Sequence, residues 1–82
     1  MPRVRVRLFA SVRERLALDE IPVELPPGTT AAGLVSRLRV DYPAAAPLLA
    51  AVRVAANEEF VADGHVLAEG DDVALIPPVS GG

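Results

Sequence analysis

A chain of 82 residues, 51% apolar and 23% charged, supplies one small hydrophobic core and leaves no room for a large self-contained enzyme. Eight arginines, no lysine and eleven carboxylates give a net charge of −3, which disfavours non-specific nucleic-acid binding. Cysteine is absent, which excludes disulfides and thiol chemistry, and no apolar run approaches the ~20 residues of a membrane span.

Arg3-Val4-Arg5-Val6-Arg7-Leu8-Phe9 alternates charged and apolar residues, the period of a half-buried strand. Those arginines stand where a secretory signal would be apolar, so the expected location is cytoplasmic. The basic stripe itself reads as a solvated sheet face or as a docking surface for an acidic partner. Ala10–Leu18 has helical composition, with Val12 and Leu16 on one face, and predicts one or two turns. Ile21–Leu25 alternates again and predicts a second strand, which Pro22 would suit to an edge.

After the Pro26-Pro27-Gly28 stop, Thr29 or Thr30 can cap a helix whose apolar stripe is Ala31, Leu34, Val35 and Leu38. This is the main helix, ended by Pro43. Ala44–Ala51 predicts a short second helix or a tight turn, and Val52–Ala56 a third strand. Phe60 and Val61 form a brief extended piece, Asp63-Gly64 a turn, and Leu67 a core residue before the Glu69–Asp72 turn. The continuous apolar run Val73–Ile76 predicts a central strand buried on both faces, adjacent to the first. These elements make an α+β domain over 1–76, a mixed sheet of four to five strands with one main helix packed on one face.

No internal constellation carries chemistry. His65, the single histidine, could form a dyad with a carboxylate but suggests no metal cluster, and beside Asp63-Gly64 it reads as a turn residue. Glu58-Glu59 and Asp71-Asp72 read as solvated turn charges, and Ser11 and Ser80 lack an evident base. The segment 77–82, Pro77-Pro78-Val79-Ser80-Gly81-Gly82, is different. Two prolines fix φ and favour an extended arm, and six extended residues reach roughly 20 Å. Two glycines lacking Cβ leave the Gly82 carboxylate able to enter a narrow slot. Adenylation would turn that carboxylate into an electrophile, and sulfur attack would convert it into a thioester or a thiocarboxylate.

The stretches Leu8–Glu14, Ala55–Val61 and Gly70–Gly82, in this order and spanning nearly the whole chain, resemble the small sulfur-carrier subunits of molybdopterin synthase, within the ubiquitin-like β-grasp group. One departure is Ala55-Ala56-Asn57, where the family more commonly has a Val-Asn pair. The resemblance implies that Gly82, with Gly81 beside it, is adenylated by an E1-like activating enzyme using ATP and magnesium. A sulfur-transfer protein would then make the thiocarboxylate. The tail would next enter the large synthase subunit, which holds cyclic pyranopterin monophosphate and the catalytic side chains, in a heterotetramer. By the same resemblance Phe9, Arg13, Phe60, Ile76, Pro78, Val79 and Ser80 would contact that partner. It also implies no cofactor or metal held by this chain, while the net charge and the lack of a long apolar run point to neither nucleic acid nor membrane as partner. A sulfur carrier for thiamine or transfer-RNA thiolation, or a ubiquitin-like binding module or tag, is the alternative. Without lysine, the chain could not form lysine-linked polymers of itself.

Overall fold

A computed structural model of the protein describes residues 1–78. The first strand, β1 (Arg3–Leu8), leads into helix α1 (Ala10–Leu16), and β2 (Glu20–Glu24) returns beside it. Helix α2 (Ala31–Asp41) follows, then a 3₁₀ turn at Pro43–Ala45 and one helical turn, α3 (Ala46–Leu49). Strands β3 (Arg53–Ala56), β4 (Glu59–Phe60) and β5 (Asp72–Ile76) complete a five-stranded sheet of order β2-β1-β5-β3-β4.

The first and last strands lie side by side and parallel, with Val6 opposite Val73 and Leu8 opposite Leu75. Every other pairing is antiparallel. Period-two alternation sends Val4, Val6, Leu8, Ile21, Val23, Val54, Val73 and Leu75 to one face, where Leu34 and Leu38 of α2 meet them in a single core. Each such side chain contributes about 1.5–3 kcal/mol of hydrophobic stabilisation relative to exposure. Thr30 is the N-cap of α2: its hydroxyl accepts from the Gly33 amide at 3.1 Å, whereas Thr29 turns back to donate to the Pro26 carbonyl. Pro22 does sit on an edge strand, opposite Arg5.

Two expectations need correction. The strand Val73–Ile76 is central but not buried on both faces. Val73 and Leu75 are buried, while Ala74 and Ile76 are half-buried, because the helices of the described residues pack on the other face. Nor are Asp71 and Asp72 merely solvated turn charges. Asp71 accepts from the Ala68 amide at 2.8 Å and from the Asn57 side chain at 3.0 Å, and Asp72 pairs with Arg7 at 3.2 Å. The Ala68 hydrogen bond, followed by the one from Asn57, holds the Asp71 carboxyl below its ordinary range against the opposing effect of desolvation.

Candidate functional site: the open face of the sheet

The face of the sheet turned away from the helices divides into two halves of different chemistry. Over β1 and β2 it is an ionic ladder. Arg3 meets Glu24 at 2.6 Å, Arg5 meets Glu20 at 3.0 Å, and Arg7 reaches Asp72 of β5 at 3.2 Å. The Arg3 guanidinium, hydrogen-bonded to Glu24, lowers that carboxyl's pKa, and its own is raised in return. A shallow open groove of about 500 Å³ lies here, lined by Arg3, Arg5, Glu20, Pro22, Glu69 and Asp72 among others. Its charged groups are engaged with one another, and Glu69 accepts from the Arg3 amide. The basic stripe is therefore neutralised by the chain's own carboxylates, and a groove so occupied makes a weak anion site.

Across β5, β3 and β4 the same face is apolar. In register, Arg7 lies opposite Ala74, Ala74 opposite Ala55, and Ala55 opposite Phe60. One row further along β5, Ile76 lies opposite Arg53. Phe60 is 55% exposed, unusual for so large an apolar side chain at a sheet edge. The Arg53 guanidinium lies over its ring, 4.0 Å from the centroid. At the end of β1, Phe9 is half-buried with the Arg7 guanidinium 5.6 Å from its ring centre. Phe9 comes one step after the Leu8–Leu75 pair, which brings it level with Ile76.

Three of the residues singled out from sequence, Phe9, Phe60 and Ile76, thus belong to one face, and none lies in the buried core. Pro78 is exposed just beyond β5. Arg13 stands apart on α1, its guanidinium 3.6 Å from the Asp19 carboxylate. Val79, Ser80, Gly81 and Gly82 lie outside the described residues. Sequence reasoning missed Arg53, Ala55 and Ala74. The signal for Arg53 was its spacing: residues 53 and 55 share a face, and a hairpin at Asn57-Glu58 sets that face beside Phe60. Among the described residues no cluster of three or more His, Cys, Asp or Glu is arranged to hold a metal ion. Within the same residues no helix is long and apolar enough to cross a membrane.

Comparison with known proteins places the chain among relatives that match it nearly end to end. The model of the ThiS family matches residues 6–82. A molybdopterin synthase sulfur carrier subunit of Mycobacterium tuberculosis is 40% identical over 85 aligned positions, which cover 100% of both chains. The small archaeal modifier protein 1 of Haloferax volcanii superposes with a TM-score of 0.84 at 25% identity, covering 96% of this chain and 100% of that one. A chain of the complex of subunits 1 and 2 of the Helicobacter pylori molybdopterin-converting factor shares the fold, with a TM-score of 0.72 at 22% identity over 98% of this chain and 99% of that one.

Proposed function

The chain belongs to the ThiS family, and we propose that it is the sulfur-carrying small subunit of a molybdopterin synthase. The observation that carries this reading is the end-to-end match to the M. tuberculosis sulfur carrier subunit, which includes Pro77–Gly82. The proposed cycle balances simply. The Gly82 carboxylate attacks the α-phosphorus of ATP and releases pyrophosphate. A persulfide on a sulfur-transfer protein then displaces AMP from the acyl adenylate to give an acyl disulfide, and a thiol cleaves its sulfur–sulfur bond, so that the two donor thiols end as a disulfide and the C-terminus is left as a thiocarboxylate. That sulfur bonds to a carbon of the pterin precursor held by the large subunit, displacing an oxygen substituent, and hydrolysis of the resulting thioester leaves the sulfur on the pterin and returns the carboxylate. ATP and magnesium belong to the activating enzyme, so this chain needs only a reachable terminus and a surface for its partners. The H. pylori neighbour, alike in fold, is a complex of two subunits, and a large subunit is the partner this reading requires. Phe9, Phe60 and Ile76 on the open face are its proposed contacts, with Pro78, Val79, Ser80 and Gly81 guiding the tail. Such a cycle belongs in the cytoplasm.

A second reading, a protein modifier, draws on the likeness to the H. volcanii modifier protein. One experiment separates them. Intact mass is followed while the chain is incubated with its activating enzyme, ATP and a sulfur source, before the large subunit and pterin precursor are added. Exchange of one terminal oxygen for sulfur, reversed as molybdopterin appears, is the expected course. Amide-linked adducts on other proteins, with no sulfur gain, would favour the modifier.

A further inference from the structure

On the open face, among the described residues, three arginines carry their own counter-ions and one does not. Arg3, Arg5 and Arg7 are matched to Glu24, Glu20 and Asp72. Arg53 has no carboxylate within 4 Å among the described residues, and its guanidinium is laid over Phe60 instead. A cation held against a ring spends none of its N–H donors on an ion pair, so those of Arg53 remain available to a carboxylate. Arg53 is also level with Ile76, the last residue of β5 before Pro77-Pro78. A partner that covers Phe60 and Ile76 must therefore desolvate this cation as well. Burying it unpaired would be costly, whereas a carboxylate placed in its plane would offset that cost and gain a charge-assisted fork.

We infer that Arg53 is a specificity-determining residue of the docking face, and that the partner seated there presents an Asp or Glu beside an apolar cleft that receives the Phe60 ring. The inference rests on the large subunit being that partner. The Arg53–Phe60 pair then acts as one anchor: the ring supplies apolar area, the cation strengthens on desolvation, and the carboxylate fixes register along the sheet.

The test is the affinity of the full chain for its large subunit, measured by calorimetry at low and high salt for wild type, Arg53→Met, Arg53→Glu and Arg39→Glu. Arg39 is an exposed arginine of α2 with no carboxylate partner among the described residues, so its reversal matches the net-charge change away from the sheet. Arg53→Met should weaken binding about tenfold and Arg53→Glu about a hundredfold, with a flatter salt dependence in both. Arg39→Glu should stay within about twofold of wild type. Melting curves that overlay the wild type would show each variant folded. Wild-type binding with Arg53→Glu equally tight, or with Arg39→Glu equally weakened, would overturn the role of Arg53 and leave the large-subunit reading standing. Failure of the wild type to bind would remove that reading and this inference with it.

Discussion

The Asn57 side-chain amide donates to Asp71 Oδ1 at 3.0 Å, and its carbonyl oxygen accepts from the Asp72 amide at the same distance. This clasp joins the β3–β4 hairpin to the turn that launches β5, and so fixes where the last strand begins. Asn57 adopts φ 53, a left-handed conformation that Asn tolerates better than most residues. Asn57→Ala should lose two hydrogen bonds and strain the turn, destabilising the domain by about 2 kcal/mol. Asp71→Ala should be similarly costly, and the double variant should lose less than the sum of the two. Urea denaturation of all four proteins measures that coupling; strict additivity would mean the clasp contributes nothing as a pair.

Acid should weaken the same clasp in a defined direction. The folded-state pKa of Asp71 lies below its ordinary value because the Ala68 amide and then Asn57 bind the carboxylate. The unfolded chain therefore binds the proton more readily, and stability from this group rises with pH. It is fully present above the ordinary aspartate range near ~3.9 and is lost as pH falls through the lower folded value. The stability gap between wild type and Asp71→Ala should accordingly stay constant from pH 7 to 5 and narrow below about pH 4. Comparing the two proteins cancels the depressed Glu24, which is common to both. A gap that widened in acid would contradict the assigned hydrogen bonds.

Next to Asn57, Glu58 carries φ 72 in the two-residue hairpin connection, a position at which glycine is strongly preferred. Its left-handed backbone is a local cost that the rest of the fold offsets. Glu58→Gly should stabilise the domain by about 1 kcal/mol, read as a shift of the urea midpoint at unchanged slope. Unchanged or lower stability would show that the Glu58 side chain compensates for its own backbone.

Sequence alone exposed most of the scaffold, because strict alternation at Arg3–Leu8 and at Ile21–Leu25 leaves only one way to bury Val4, Val6, Leu8, Ile21 and Val23. It misread Val73–Ile76 for a physical reason. An apolar residue on an open sheet face looks the same in sequence as one facing the core, so Ala74 and Ile76 were indistinguishable from Val73 and Leu75. The Asn57–Asp71 clasp was equally hidden, since it links residues 14 apart through a turn that lacks the expected glycine. Phe9, Phe60 and Ile76 came from family resemblance; that they share a face, with Arg53 among them, required the sheet register.

That division between core and open face sets the last prediction. Leu34 is fully buried under the sheet, so Leu34→Ala should cost about 2–5 kcal/mol and weaken every function only through unfolding. Phe60, 55% exposed on the edge strand, buries less within the chain than a core residue, so Phe60→Asp should cost no more than about 2 kcal/mol. Its effect should fall on binding to the large subunit, weakened by about a hundredfold because an aromatic anchor is lost and a charge is forced into an apolar cleft. Parallel denaturation and calorimetry distinguish the two variants: one should lose stability with binding intact in the folded fraction, the other should lose binding while still folded. If Phe60→Asp bound as tightly as wild type while remaining folded, the partner would dock elsewhere than on this half of the sheet.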